Sequence, residues 1–581
     1  MTNLRRKNNH DPQQKRLKFL SVFIFLFGFA LVYRLADLQI FSSASIQASA
    51  ARQHSTERVL PAERGEIFYT DAKSDTLYPL ATNRAFNHLY IVPRDVENIE
   101  YTFNMLWPLF KDKGLTEDVL RARISKTNDI YEPLARKLTD EELAPFAETN
   151  LPGLGWEDEM WRYYPEAETL SHVIGFVGLQ DDARVGQYGL EDFFEEELKG
   201  KEGLLVGQVD TSGRLIKSGD NKVIEGEKGV DIVLTIDRTI QAYACQRLKE
   251  KVKDTGAEGG NVVVLNPATG AIMVMCSEPG FDPNNYNEVE DIFVYLNPVI
   301  ASTYEPGSIF KSITMAAGID QDAVSPETTY IDEGVEEIGK YKIRNSDGKA
   351  HGEVDMVTVL DESLNTGAIF VERQLGNEMF YKYVQKFGFG KPTGIELGGE
   401  LAGDISSLAK AGDIYAATGS FGQGITVTPI QIAQAYAAIA NGGKLVKPYL
   451  IKEKRKNNKI IYHGATEVME KELLSLRAST IISGMLVSVV RAGHAKSAGV
   501  GGYYIAGKTG TAQVAGNGGY GSDTIHSFVG YGPVDNPIFV MLTKLDKPKY
   551  AQFAASTAAP LFGDIAKFIL QYYEVPPDEN I

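Results

Sequence analysis

An apolar run behind a cluster of cations divides this chain near its amino terminus. Arg5, Arg6, Lys7, Lys15, Arg16 and Lys18 precede FLSVFIFLFGFALVY, Phe19 to Tyr33. The run alone is shorter than the roughly 20 residues that a membrane-crossing helix needs. Lys18 and Arg34 can reach the two headgroup layers, so that Leu17, Leu35, Ala36 and Leu38 extend the span. A cleaved signal peptide is the rival, with Ala48-Ser49-Ala50 resembling a cleavage site. That triplet lies past Arg34, Asp37 and Gln39, too far from the apolar run for ordinary processing. The pattern therefore predicts a cytoplasmic tail over 1–18 and an uncleaved anchor over 19–40. Basic flanks stay in the cytoplasm, which places the remainder outside.

At 581 residues, the chain is long enough for two or three domains. Its 43% hydrophobic and 23% charged content is that of a folded protein. A net charge of −17 argues against a nucleic-acid partner, which would want a basic face. Cys245 and Cys276 are too few for a disulfide framework or a thiolate zinc site, and both sit in apolar patterns expected of core residues. No H-E-x-x-H and no G-x-S-x-G occurs, so zinc-peptidase and α/β-hydrolase chemistry start without support.

Residues 41–225 read as an extended, mixed module in which ERVLPAERGEIFY, HLYIVP and HVIGFVG alternate with polar helical stretches such as LTDEELAPFAET. GLEDFFEEELKGKEG predicts a charged helix with Leu190, Phe193, Phe194 and Leu198 inward and its acids solvated. After Gly229 the pattern tightens. DIVLTIDRTIQAYACQRLKEKV gives a strand and then a helix, and NVVVLNPATGAIMVMCSEP gives a hairpin around Pro-Ala-Thr-Gly. Together they suggest helices packed on a sheet, an α/β or α+β fold over 226–581.

Two chemistries compete for GYYIAGKTGTAQV, Gly502 to Val514. From Gly502 it satisfies the phosphate-binding pattern G-x-x-x-x-G-K-[ST]. Such a loop must be flexible and must open a helix. Here Tyr503, Tyr504, Ile505 and Ala506 favour a strand, and Thr-Gly-Thr-Ala-Gln-Val followed by glycines is a poor helix start. Thr-Lys-Leu-Asp at 543–546 imitates a guanine-specificity motif, but too little chain follows for a nucleotide-binding sheet. Gly516, Gly518 and Gly521 mark a hairpin connection rather than a dinucleotide loop.

The alternative is serine acyl transfer, which needs S-x-x-K, S-x-N and K-T-G in that order. S-x-x-K occurs at Ser308–Lys311, Ser346–Lys349 and Ser407–Lys410. The serine must sit in a first helical turn with the lysine one turn later. NSDGK is turn-like and fails, whereas Ser407–Lys410 is not dismissed by pattern. Ser308 follows Glu305-Pro306-Gly307, a natural helix entry, and leads into IFKSITMAAGI at helical spacing. A depressed pKa would let Lys311 act as base. S-x-N occurs once, as Ser363-Leu364-Asn365; the Ser363 hydroxyl can relay a proton, and the Asn365 amide can orient Lys311 and a substrate carbonyl. Lys508-Thr509-Gly510 completes the set. An edge strand there would pair with an extended peptide, Gly510 permitting close approach and Lys508 with Thr509 holding a carboxylate.

At these residues the chain resembles the class B penicillin-binding proteins, monofunctional peptidoglycan D,D-transpeptidases. Arg64-Gly65-Glu66-Ile67, Arg162-Tyr-Tyr-Pro165, HVIGFVG and Gly189-Leu190-Glu191 look like the family's pedestal motifs. LTIDRTIQ, NPATGAI, YEPGSIFK, ESLNTG, FGFGKPTGIEL, SFGQGITVTPIQIA, GKTGTAQV and SFVGYGPVDNP match its catalytic pattern. SFGQGITVTPIQIA and TGIELGGE resemble the FtsI division branch more than the elongation branch. One departure is YTDAKSDTLYPLATN after RGEIF, where the family usually has an Asp-Arg-Asn-Gly turn; it leaves open the pedestal's shape near 69–80.

The resemblance implies an α/β (α+β) transpeptidase domain like that of serine β-lactamases, an elongated mixed pedestal of the dimerisation type and one transmembrane helix. It implies attack of Ser308 on a D-Ala–D-Ala bond, Lys311 as base, a proton shuttle through Ser363 and Lys508, and an oxyanion hole from the N–H groups of Ser308 and Thr511. Thr509, Gly510 and Thr511 would bind substrate. No metal or organic cofactor is implied. β-Lactams would acylate Ser308, and a membrane glycosyltransferase of the FtsW (SEDS) type, with other divisome proteins, would be a partner. An elongation transpeptidase, a membrane-bound β-lactamase or antibiotic sensor, and an inactive cell-wall scaffold are the alternatives.

Overall fold

The computed structural model describes residues 12–43 and 55–578, apart from 72, 112–114, 148, 150, 182, 209–221 and 517–518. Arg5, Arg6, Lys7, the Ala48–Ala50 triplet and Gly518 lie outside the described residues. The chain forms two compact units, 1–63 with 200–228 and 64–199 with 229–581.

In the first unit, the anchor run is part of one helix, Pro12–Ala36, that passes into a wider turn at Asp37–Phe41. Lys15–Phe41 is long and apolar enough to cross a membrane. Its polar end is tied locally by an Arg34–Asp37 ion pair at 2.7 Å. Ser55–Leu60, Gly203–Gln208 and Lys222–Ile224 make a separate three-stranded antiparallel sheet, with Gly203–Gln208 in the middle.

The second unit contains two large sheets. In the first, the strands run Lys459–His463, Ile451–Lys456, Asp231–Asp237, Ile67–Asp71, Ser74–Ile91 and Glu132–Leu138, and Leu154–Tyr163 also pairs with Ser74–Ile91. Ile67–Asp71 and Asp231–Asp237 are parallel neighbours, so strands from both sides of residue 226 share this sheet. The atypical stretch after RGEIF is a tight hairpin. Asp71 pairs with Ser74 in register, and the Asp71 Oδ1 accepts from the N–H groups of Lys73 at 3.0 Å and Ser74 at 2.7 Å. An aspartate side chain that bonds to backbone N–H groups just ahead of it is a common turn former.

GLEDFFEEELKGKEG departs from the expected single helix with solvated acids. It forms two short helices, Gly189–Phe193 and Glu195–Leu198, and Phe193 is exposed. Glu191 is fully buried, its oxygens held at 2.6 Å by Arg64 Nε and by Arg162 Nε. Burial raises the Glu191 pKa, and the two guanidiniums outweigh it, leaving the carboxyl below its ordinary value. The motifs RGEI, RYYP and GLE thus meet at one ionic knot, which a helical reading of the third alone conceals.

The second large sheet is fully antiparallel, in the order Ile272–Glu278, Gly259–Leu265, Phe539–Asp546, Gly519–Gly532, Ala506–Gly516. All seven residues of Gly259–Leu265 are buried, as a central strand covered on both faces requires. The helices Arg238–Thr255 and Ala558–Tyr572 pack on this sheet and on each other, and Pro429–Ala440 packs on it with Leu476–Arg491. Asp237 caps Arg238–Thr255 by accepting from the N–H groups of Thr239 and Ile240, and Gly256 ends it at φ +64°. Cys245 on that helix and Cys276 on the strand beneath are bonded to each other, their Cα atoms 5.5 Å apart. Cys276 lies in the core as expected, whereas Cys245 is half-buried against it. Their separation depends on how the helix crosses the strand, which spacing along the chain does not report.

Candidate active site

The turn carrying Ser308 is forced by the residues before it. Gly307 has φ +60°, and a Cβ there would lie 3.2 Å from the Ala512 Cβ, so glycine is required both by conformation and by contact. The Gly307 N–H donates to the Gly422 carbonyl at 3.1 Å. A 3-10 turn, Gly307–Phe310, then opens into the helix Lys311–Asp320. Ile309 and Phe310 are buried and Ser308 is half-buried, which leaves the serine as the residue of the turn that faces out. The expected order, serine in the first turn and lysine one turn on, is what forms.

Lys311 is 1% exposed. Its Nζ donates to the carbonyl oxygen of Ser363 at 2.5 Å and to the Ser363 hydroxyl at 3.2 Å. Ser363 sits in the left-handed region at φ +57°, between the helices Met356–Asp361 and Asn365–Leu375. That conformation turns both of its oxygens towards the lysine. Desolvation and then the charge of Lys508 hold the Lys311 pKa well below its ordinary value. A buried amine of this kind is a base.

Lys508 is fully buried on the edge strand Ala506–Gly516, and its Nζ has no hydrogen-bond partner among the described residues. Burial brings its pKa down to about 8, while the Asp361 carboxylate acts in the opposite sense. Asp361 is itself held by the Ser488 hydroxyl at 2.8 Å. Thr509 and Thr511 are half-buried beside it, and the Thr511 Oγ1 accepts from the Ala554 N–H at 3.2 Å. At Gly510 an added Cβ would stand 2.6 Å from the Ser527 Oγ and 3.0 Å from both the Ile309 Cγ2 and the Pro306 carbonyl. The Ser308 turn therefore lies directly against the Lys508–Thr511 segment.

Ser308, Lys311, Ser363, Lys508, Thr509, Gly510 and Thr511 thus come to one end of the antiparallel sheet. Asn365 opens the helix after Ser363, but its Nδ2 donates to the Arg344 carbonyl at 2.8 Å. Among the described residues no hydrogen bond joins it to Lys311, so the orienting contact expected from the sequence is not made directly.

The rival motifs separate by geometry. Ser407 lies in a 3-10 turn, its hydroxyl spent on the Gly424 carbonyl at 2.6 Å, and Lys410 is exposed in extended backbone. Ser346 and Lys349 are exposed on a turn. In GYYIAGKT the strand begins at Ala506 rather than at Tyr503, and Lys508-Thr509 lies inside it with no helix following, so the segment is not a phosphate loop. Sequence reasoning missed three groups: Glu305, which accepts from the Gly424 N–H at 3.0 Å and from the Tyr520 hydroxyl at 3.0 Å; Asp361 behind Lys508; and Asn345 with Asp332 beneath the second box. Glu305, inside YEPGS, was within reach as an acid next to the nucleophile. The others depend on long-range contacts.

Residues 260–567 match the family described as the penicillin binding protein transpeptidase domain, and residues 59–234 match the penicillin-binding protein dimerisation domain. Stage V sporulation protein D of Bacillus subtilis is 32% identical over 98% of this chain and 87% of its own length. A peptidoglycan D,D-transpeptidase FtsI homolog of Mesostigma viride is 31% identical over 74% of this chain and 75% of its own. Among solved structures, penicillin binding protein 3 of Mycobacterium tuberculosis, complexed with aztreonam, superposes with a TM-score of 0.68 at 25% identity, covering 90% of this chain and 98% of that one.

Proposed function

Since this chain belongs to the class B penicillin-binding proteins, the serine acyltransferases that act as peptidoglycan D,D-transpeptidases, we propose that its acyl-enzyme forms on Ser308 and that Lys311, Ser363, Asn365 and Lys508 serve it. The observation that carries this reading is the buried Lys311 amine, one turn from Ser308 and bonded to both oxygens of Ser363.

In this mechanism, neutral Lys311 takes the hydroxyl proton as the Ser308 Oγ attacks the carbonyl carbon of the D-Ala–D-Ala bond. The N–H groups of Ser308 and Thr511 receive the developing oxyanion. The C–N bond breaks, and the proton passes through Ser363 and Lys508 to the departing amine of the terminal D-alanine. An amine of a neighbouring stem peptide then attacks the ester and returns a proton by the same relay. Ser308 leaves as a hydroxyl and the cross-link is complete. Thr509 and Gly510, on an edge strand with a free side, pair with the donor peptide, and Lys508 with Thr509 takes its carboxylate.

We take 1–18 as the cytoplasmic tail, 19–40 as the anchor, 41–225 as the pedestal and 226–581 as the transpeptidase domain, with catalysis outside the membrane. The Cys245–Cys276 bond supports that compartment, because disulfides persist in oxidising surroundings. A septal role beside an FtsW-type glycosyltransferase rests on the FtsI-like motifs and the FtsI-named relative. Depletion should give filaments; rounded cells would mean an elongation role. The central test is mass spectrometry after a labelled penicillin. A slowly decaying adduct on Ser308 is expected, an adduct on Ser407 would move the site, and rapid turnover would make the protein a β-lactamase.

A further inference from the structure

The helix that follows Ser363 lacks a cap of its own. Leu364 occupies its N-cap position and makes no side-chain bond. The donors at its start are satisfied instead by Asn345, twenty residues upstream in the NSDGK turn. The Asn345 Oδ1 accepts from the Asn365 N–H at 2.9 Å and the Thr366 N–H at 3.2 Å. Its Nδ2 donates to the two oxygens of Asp332 at 3.0 and 2.9 Å, and to the Lys349 carbonyl at 3.3 Å.

Asp332 is in turn fixed. It is 1% exposed and also accepts from the Gly334 N–H at 2.9 Å, the His351 N–H at 3.0 Å and the Thr366 hydroxyl at 2.8 Å. The adjoining Arg344 carbonyl holds the Asn365 side chain. Asn345 is 4% exposed and lies between an acceptor-only carboxylate and a row of donors. Only a side chain that donates at one end and accepts at the other fits such a place.

We propose that Asn345, oriented by Asp332, is a positioning residue for the acyl transfer. It pins the start of the Asn365–Leu375 helix and so fixes Asn365 and the left-handed Ser363, whose two oxygens hold Lys311. Among the described residues no hydrogen bond joins it to Ser308, and it acts through the second box. The inference rests on the reading that Ser308 is the acylated residue.

The test uses the full-length protein in detergent and a fluorescent penicillin, with non-covalent binding and the acylation rate constant measured separately. Asn345→Asp keeps the shape and the cap acceptor but sets a second carboxylate against Asp332. Its acylation rate constant is expected to fall by about tenfold or more, with non-covalent affinity within about twofold of the parent and the adduct still on Ser308. Joining it to Asp332→Asn restores a donor between the two side chains and is expected to recover a large part of the rate. An acylation rate constant within about twofold of the parent overturns the inference, as does a loss that the double variant leaves unrelieved. Should Asn345→Asp fail to fold, Asn345→Ser keeps a cap acceptor while losing Asp332; a fall of about threefold or more supports the inference and no change overturns it. A parent with no adduct on Ser308 would sink the functional reading itself, and this inference with it, whereas an acylating parent with unimpaired variants sinks this inference alone.

Discussion

Lys311 Nζ bonds to one residue twice, at 2.5 Å to the Ser363 main-chain oxygen and at 3.2 Å to its hydroxyl. The carbonyl fixes the amine in place, and in the proposed mechanism the hydroxyl takes its proton onward. Both contacts need φ +57° at Ser363, a conformation that non-glycine residues rarely adopt. Backbone strain at this position is therefore matched to the base it serves. The next protonable group, Lys508, acts on Lys311 by charge alone, lowering its pKa further.

This arrangement fixes a pH dependence. In the proposed mechanism Lys311 must be neutral to accept the Ser308 proton, so acylation is expected to rise as pH rises through its depressed pKa. Lys508 must be protonated to hold a carboxylate and pass on a proton, so acylation falls as pH rises through about 8. A bell-shaped profile of penicillin acylation is expected, with its alkaline limb near that value. Asp361→Asn removes the charge that favours protonated Lys508 and should move only the alkaline limb, to lower pH. An alkaline limb that stays in place in Asp361→Asn would remove Asp361 from this role.

Gly510 is where the strand meets the nucleophile turn. A methyl group there would press on the Pro306 carbonyl and on Ile309 at 3.0 Å, and on the Ser527 Oγ at 2.6 Å. The hydroxyl can swing aside, but the carbonyl belongs to the turn that aims Ser308. Gly510→Ala should thus slow acylation by about a hundredfold, because displacements of about an ångström carry costs of this order. The melting temperature should change little by comparison. A variant that acylates at the parent rate would show that the turn and strand are not held in register by this contact.

Glu191 offers a test in the pedestal, away from the chemistry. Its side chain is fully buried between Arg64 and Arg162, so Glu191→Ala strips the buried Arg162 of its carboxylate and leaves Arg64 with Glu195. Removing one member of a buried ionic set typically costs about 3–5 kcal/mol. Thermal unfolding and limited proteolysis of the variant should show early opening of the segments around Arg64 and Arg162. The native carboxyl is held below its ordinary value, so its contribution is complete above the usual carboxylate range and is lost as pH falls through the lowered pKa.

The convergence of the three boxes was largely legible in the sequence, because it depends on local patterns. S-x-x-K needs one helical turn, K-T-G needs an edge strand, and the apolar run VVVL needs a covered sheet strand. What stayed hidden depends on contacts across long stretches of chain. Asp361 faces Lys508 from another element, and Cys245 reaches Cys276 only through a helix crossing. Asn345 is the most instructive case. NSDGK fails as a nucleophile box because it is a turn, yet that turn supplies the cap for the box that follows. Glu191 shows the opposite error, since an acid in a charged run is usually solvated and this one is the centre of the pedestal's ionic knot.

Glu372 lies about two turns beyond the second box, in the helix Asn365–Leu375. It is 1% exposed, and its Oε1 has no partner among the described residues. Burial raises its pKa to about 7, with Arg373 opposing that shift and Asp413 adding to it. The folded protein therefore holds a proton that the unfolded chain releases near the ordinary carboxylate value. Stability from this site is present below that value and is lost as pH rises through about 7. Glu372→Gln keeps the shape and removes the titration. It should raise the melting temperature at pH 8 by about 2–4 °C and change it little at pH 5. Equal shifts at both values would mean that the carboxyl does not titrate in this range. A loss of stability at pH 8 would mean that the charged form has a partner in solution.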